Sequence, residues 1–387
     1  METPLNREHF PVCRRWAYLD HAAISPLPQP AADAMRDAAL GLAADGSLTY
    51  EDHAARIERV RATAAGMMGV PAADVAFVKN TTEGLGFVAN GLDWTPGDRV
   101  VVPALEFPST VYPWSTLADH GVSVSFVQPR GPGRTLPLQA FADVIDAGPP
   151  PRLVVVSWVQ FGHGWRTDLA ALGRLCQARG ALLVADVIQG LGGIPARLEE
   201  WGVDFAAADG HKWLLGPGGA GLLYVRRSRQ DLLRPLEPGW HSVSQPEQWS
   251  ALAFDPDDSA RRLEGGMLNA IGILGMGASL DLLRDASVEA VWQHTDRLCE
   301  LAAEQLREAG ATVLSSRLPE SRSGIVTFTV PGVNPEAAVA ELKAAGVICS
   351  ARGGGLRVSP HGYNTDTDIE RLIRTVTTLA RAGRRNR

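Results

Sequence analysis

Three lysines occur in the 387 residues: Lys79, Lys212 and Lys343. Positive charge is otherwise left to arginine, and the formal net charge is −6 with an isoelectric point near 5.9. Such a balance excludes a basic surface for nucleic acid or an acidic membrane. The one basic cluster, Arg384-Arg385 with Arg387, is expected to be a frayed tail. The four cysteines (Cys13, Cys176, Cys299, Cys349) show no C-x-x-C spacing, which excludes a disulfide framework or zinc site and fits free thiols in a reducing cytoplasm. The nine histidines form no H-x-x-x-H pair, so no structural metal is expected. No apolar run reaches the roughly 18 residues of a membrane span. The start, with Glu2, Pro4 and Pro11, is too polar for a signal peptide. No G-x-S-x-G elbow is present, which excludes an α/β-hydrolase-type serine enzyme.

What remains is an alternation. Short β-branched or apolar runs at 75–78, 99–102, 122–127, 153–157, 181–185 and 205–207 are mostly separated by helix-length segments. This pattern predicts a mainly parallel sheet covered on both faces. Residues 221–225 follow too closely for a helical crossover and should form an antiparallel strand. Two helices precede the first of these strands, over 31–44 and 51–68. The irregular stretch 234–263 reads as a site lid or dimer-contact loop. Beyond Gly266 a small-residue helix, a long amphipathic helix and a short β/α run predict a small C-terminal domain. The glycine-rich 216–221 precedes a strand, the wrong context for a dinucleotide loop.

Several residues could carry chemistry. Lys212 lies in Asp209-Gly210-His211-Lys212-Trp213, an apolar setting that favours a neutral, nucleophilic amine. Asp186 ends a strand at the sheet edge where ligands bind, or else caps a turn; Gln189 follows three residues later. Asn80-Thr81-Thr82-Glu83-Gly84 follows a strand and offers backbone N–H groups and hydroxyls to a phosphate, or forms an ordinary helix cap. Phe107 could stack on a flat ligand or belong to the core. Arg357 could fork onto a carboxylate or form a salt bridge.

In order along the chain, Leu19-Asp20-His21-Ala22-Ala23, Asn80-Thr81-Thr82-Glu83-Gly84, Asp186-x-x-Gln189, Gly210-His211-Lys212-Trp213 and Leu356-Arg357-Val358-Ser359 resemble the class V aminotransferase family of fold-type I pyridoxal-5′-phosphate (PLP) enzymes. The resemblance runs from about Tyr18 to Arg381. It implies an α/β fold-type I architecture: a large PLP domain (26–265) with a mainly parallel seven-stranded sheet, and a small α/β C-terminal domain (266–387) joined by residues 1–25. It also implies a homodimer with shared active sites. Lys212 would be the Schiff-base lysine, Asp186 the pyridinium partner and Gln189 a contact to the phenolic oxygen. Thr81, Thr82 and His211 would hold the phosphate, Phe107 would stack on the ring, and Arg357, His21 and Ala22 would meet the amino-acid substrate.

There are departures. Asp209 stands where the family often has serine, and a carboxylate there repels phosphate unless it points away or accepts hydrogen bonds. Met267 replaces a threonine that often reaches the partner's phosphate. The usual asparagine near Gln160 is missing, with Gln160 or His163 as substitutes. Cys349 lies only eight residues before Arg357, so the persulfide loop of cysteine desulfurases is absent. Transamination is expected first. A lyase, by β-elimination or kynureninase-like C–C or C–S cleavage, comes second and epimerisation third, with a non-enzymatic regulatory protein of the same fold as the alternative.

Overall fold

The computed structural model describes residues 3–131, 134–250 and 252–385. Met1, Glu2 and Arg387, which the expectations about the two termini include, lie outside that range. A short strand β1 (Ala17–Tyr18) precedes helices α1 (Gln29–Asp45) and α2 (Tyr50–Met68). Seven strands follow: β2 (Val75–Val78), β3 (Arg99–Pro103), β4 (Ser123–Val127), β5 (Leu153–Ser157), β6 (Leu182–Asp186), β7 (Phe205–Asp209) and β8 (Gly221–Val225). They form one sheet in the order β2-β8-β7-β6-β5-β3-β4. Only β8 runs antiparallel to its neighbours, as its short connection requires; the other pairings are parallel. All four or five residues of β2, β3, β5, β7 and β8 are buried, which is why these strands read as continuous apolar runs rather than alternating ones.

Helices α3 (Thr81–Gly91), α4 (Pro108–Ser115), α5 (Leu138–Asp146) and α6 (Leu169–Ala178) cover the sheet. Helix α3 lies flush on it. A Cβ at Gly84 would stand 2.9 Å from the Ala207 Cβ on β7, so only glycine brings the start of α3 this close to the strand that leads to Lys212. One of the helix-length segments, between β3 and β4, is α-helical only to Ser115 and tightens into a 3₁₀ turn over Thr116–His120.

Helix α7 (Ala270–Ala286) begins three residues later than its apolar pattern suggests, because Asn269 caps it by accepting from Gly272 N. It packs on α1 and α2 within the core of the large sheet. The long helix α8 (Val288–Glu308) leads to β9 (Thr312–Val313), β10 (Val326–Thr329), α9 (Pro335–Ala344), β11 (Val347–Ile348), β12 (Ser350–Arg352), β13 (Gly355–Val358) and α10 (Asp366–Arg385). Arg384 and Arg385, expected in a frayed tail, continue the last turn of α10. Four of these strands form a second sheet, β12-β13-β10-β9, while β11 pairs with β1. A separate apolar core joins this region to Ala17 and Leu19 from the start of the chain. Strands β12 and β13 are joined by Gly353-Gly354, with φ of 62° and 80°, a turn that leaves no space for a lobe between Cys349 and Arg357.

Candidate active site

A cavity of about 330 Å³ opens where β2, β5, β6 and β7 end; its wall includes Thr81, Thr82, Phe107, Ser157, Asp186, Gln189, Asp209, His211, Lys212 and Arg357. Lys212 is presented by a tight turn. Leu215 N donates to the Lys212 carbonyl (3.0 Å), Gly216 N donates to the Gly210 carbonyl (2.8 Å), and Leu215 sits at φ 59°. A fully buried leucine in the left-handed region is strained, and the surrounding packing maintains it. Burial in this setting, with Arg357 adding to it, lowers the Lys212 amine to about 8, although Asp186 pulls it the other way. The Lys212 Nζ lies 5.7 Å from the centre of the Phe107 ring, which meets Phe161 edge-on.

Asp186 is buried at the end of β6. Its Oδ2 accepts from Thr110 Oγ1 (3.0 Å) and its Oδ1 from Ile188 N (3.1 Å). Burial raises its carboxyl above the usual range. Thr81 opens α3 with its buried Oγ1 unpartnered among the described residues, while the Thr82 hydroxyl is 2.8 Å from that of Ser109. The start of α3 is further fixed by Asn80 Oδ1, which accepts from Glu83 N (3.0 Å).

Asp209 does not aim both oxygens at this end of the cavity. Its Oδ1 accepts from Gly210 N (2.7 Å), and its Oδ2 is 2.8 Å from His211 Nδ1, off the line of a directional hydrogen bond. Gln189 has its amide partly committed: Nε2 donates to the Ala22 carbonyl (2.9 Å), and Oε1 accepts from Trp213 Nε1 (3.0 Å). Arg357 is 2% exposed. One Nη donates to the Phe161 carbonyl (2.7 Å), the other to Ser350 Oγ (3.2 Å) and Asp20 Oδ1 (3.4 Å), and Nε has no partner among the described residues.

Two expectations are corrected. His21 does not line the cavity. It is fully buried, with Nδ1 on the Ser359 carbonyl (2.8 Å) and Nε2 on the Tyr363 hydroxyl (2.7 Å); its neighbour Ala22 forms the wall. Neither Gln160 nor His163 replaces the missing asparagine. The Gln160 amide ties the Leu105 carbonyl to the N–H groups of Gly162 and His163, while Ser157 and Phe161 form the wall there. Met267 is exposed beside a separate surface hollow with Lys79 and Asn269. Sequence reasoning missed Glu106, Ser157, Thr110 and Arg352. A strand-end serine carries no distinctive pattern, and the other three gain their setting only from the fold.

Among the described residues no cysteine lines the cavity. Cys176, Cys299 and Cys349 are buried, and burial pushes each thiol up to about 12. Among the described residues no group of three or more His, Cys, Asp or Glu could hold a metal ion, and no helix is long and apolar enough to cross a membrane.

The model of the family named Aminotransferase class-V matches residues 17–372. A probable cysteine desulfurase of Methanothermobacter thermautotrophicus is 30% identical, over 99% of both chains. The apo structure of a cysteine desulfurase from Thermococcus onnurineus NA1 superposes with a TM-score of 0.89 over 99% of both chains, at 24% identity. A complex of the cystine C-S lyase C-DES with its product cysteine persulfide gives 0.87 at 22%, covering 95% of this chain and 99% of that one. At these identities the structural likenesses show the fold, which is that of fold-type I.

The cavity suits the family's cofactor. An unpartnered buried hydroxyl and the first N–H groups of α3 lie at one end, a buried carboxylate on its floor, and a lysine amine lowered to about 8 beside them. By its sequence match from β1 into α10, this chain belongs to the class V aminotransferase family of PLP-dependent enzymes.

Proposed function

We propose that this protein is a PLP-dependent lyase that cleaves a β bond, C–S in the first instance, of an amino-acid substrate and releases the fragment directly. The observation that carries this reading is the Gly353-Gly354 turn, which stands where a desulfurase would need a loop to carry its acceptor cysteine. With it goes a cavity wall whose described residues include no cysteine. The 30% identical relative is named a desulfurase, which supports C–S chemistry over transamination, and the C-S lyase among the structural relatives fits release without a cysteine relay.

The bound cofactor supplies an electron sink for negative charge developing at Cα. The residues of this chain do the rest. Thr81 and Thr82 hold the phosphate with hydroxyls and helix N-terminal amides. Asp186 would hold the ring nitrogen, and Gln189, with one amide N–H left, would donate to the ring's oxygen. Phe107 covers the ring and excludes water. Lys212, lowered to about 8, carries the cofactor and moves the proton at Cα. Arg357 would hold the substrate carboxylate beside Ala22 and so orient Cα for the reaction. The division into residues 1–25 with 266–387 and a large unit 26–265 is supported by a core of Ala17 and Leu19 with residues 298–380, although Leu5, Phe10, Ala22, α7, Val291, Ile325 and Tyr363 pack into the core of the large unit. Exposed Trp249, Leu252 and Phe254 fit a homodimer contact.

The test is turnover of cysteine and cystine without a keto-acid acceptor. Pyruvate and ammonia, released with sulfide or persulfide, support the proposal. Turnover that requires a keto acid would establish a transaminase instead. Solvent deuterium in recovered substrate would mean epimerisation, and an intact visible cofactor band without any turnover would mean a regulatory role.

A further inference from the structure

Glu106 carries a buried carboxyl with no cation among its hydrogen-bond partners in the described residues. It sits between β3 and α4, one residue before Phe107, and is 9% exposed. Its Oε1 accepts from Ser157 N at 2.7 Å, and its Oε2 is hydrogen-bonded to Ser157 Oγ. Ser157 ends β5, is the register partner of Asp186 on β6, and lines the cavity. Trp158 N donates to the Asp186 carbonyl (2.8 Å), so the Glu106-Ser157 pair is built into the same strand ends as the carboxylate that faces the cofactor ring. The charged and titratable groups of the cavity are Asp186 on the neighbouring strand, Asp209, His211, Lys212, Arg352 and Arg357. Asp186 acts on Glu106 directly and disfavours its charge.

We propose that Glu106 is a positioning residue that acts through Ser157, setting whether the serine hydroxyl offers the cavity a lone pair or a proton. When Glu106 is ionised, both donors of Ser157 are spent on it: the N–H on one oxygen and the O–H on the other. When Glu106 has taken a proton from solvent on Oε2, that proton is donated to Ser157 Oγ. The Ser157 O–H is then released to turn into the cavity, where an anionic ring oxygen of the cofactor would accept it. No other bond forms or breaks. Burial first, and the Asp186 charge in addition, push Glu106 up to about 7 against its hydrogen bonds from Ser157, so both states are populated near neutral pH. The inference rests on the cofactor reading and supplies the hydroxyl that takes the place of the missing asparagine.

Apo-protein is titrated with PLP at a series of pH values between about 5.5 and 8.5, spanning the range in which the carboxyl changes charge. The dissociation constant is read from quenching of tryptophan fluorescence. The comparison is between wild type, Glu106→Gln and Ser157→Ala. Glutamine reproduces the neutral carboxyl, with its carbonyl accepting from Ser157 N and its amide donating to Ser157 Oγ. Wild type is expected to match Glu106→Gln at the acid end of the series and to bind about fivefold more weakly than it at the alkaline end, the worth of one hydrogen bond. Ser157→Ala should bind weakly, and the ratio of wild-type to Ser157→Ala affinity, in which the titration of Lys212 cancels, should fall across the same range. A wild-type to Glu106→Gln ratio that stays constant with pH, or a wild-type to Ser157→Ala ratio that does, overturns the proposal. The serine variant serves even where the glutamine one does not fold. If wild type binds no PLP at any pH, the cofactor reading fails, and this inference with it.

Discussion

The Arg357 guanidinium reaches back 337 residues to the Asp20 carboxylate, 3.4 Å away, with Ser350 Oγ between them donating to Asp20 at 2.8 Å. The arginine assigned to the substrate is therefore already held in place from behind. Its unpartnered Nε and its place in the cavity wall leave it able to receive a carboxylate.

Replacing Arg357 with alanine should raise KM by roughly 10- to 100-fold, the worth of a charge-assisted hydrogen bond. It should also lower stability, because Asp20 is left buried without its cation. Arg357→Lys should recover stability more than KM, since an ammonium keeps the charge but not the fork. Steady-state kinetics and urea denaturation on the same preparations separate the two effects. A KM unchanged in Arg357→Ala would remove this residue from substrate binding.

Lys212 should capture PLP only as the neutral amine. Its folded pKa is lowered from 10.5 to about 8, so the neutral fraction grows as pH rises through 8 and levels off above it. The initial rate of forming a borohydride-reducible adduct in apo-protein should follow that curve between about pH 6.5 and 9.5. Lys212→Ala should form none while remaining folded, and its bound PLP should be removable by dialysis.

Arg61 and Glu264 are both buried and joined side by side. Glu264 also accepts from Phe77 N at 2.7 Å, and Arg61 also donates to the Val75 carbonyl at 2.8 Å. Glu264→Ala should cost on the order of 3 kcal/mol, because it leaves the Phe77 N–H unpaired and the buried guanidinium with only the half-exposed Glu58, 3.1 Å away, as its carboxylate. The double replacement Arg61→Met with Glu264→Leu should cost clearly less than the two single changes added together. Additive losses in chemical denaturation would show that the two side chains are not coupled.

For Glu106 the sign of the pH effect on stability is opposite to that of a salt-bridged acid. Its folded pKa is raised from 4.5 to about 7. Stability is thus intact below the unfolded value and falls as pH rises towards 7, by an amount on the order of 3 kcal/mol. Glu106→Gln carries no such penalty. Its Tm should equal that of wild type near about pH 4.5 and exceed it by several degrees at about pH 8, which calorimetry at the two pH values can read.

The sheet was legible in the sequence because its central strands are buried on both faces, and a run such as Leu153-Val154-Val155-Val156 admits little else. Lys212, Asp186 and Thr81 were legible because each directly follows or ends such a strand, where a parallel sheet collects its ligands. Glu106 was not. A glutamate before Phe-Pro reads as an ordinary loop residue, and its isolation arises only when β5, some fifty residues on, lays Ser157 across it. Gln160 misled for a related reason: its amide is consumed by two loop N–H groups that no sequence spacing announces. The pairing of Arg357 with Asp20 belongs to the same class, since long-range partners are set by the fold.

The loop that presents Lys212 is clamped from both extremes of the chain. Ser25 donates through N to the His211 carbonyl (2.8 Å) and through Oγ to the Lys212 carbonyl (2.6 Å). His361 Nε2 lies 3.1 Å from the Trp213 carbonyl, and Ser359 Oγ accepts from Ala22 N (2.9 Å). During synthesis the lysine therefore leaves the ribosome after Ser25 but well before Ser359 and His361, which complete the clamp. The large sheet can form on a nascent chain, but a competent lysine must wait for residues 359–363 to emerge. Cofactor loading then depends on the second sheet region as much as on the sheet that carries the lysine.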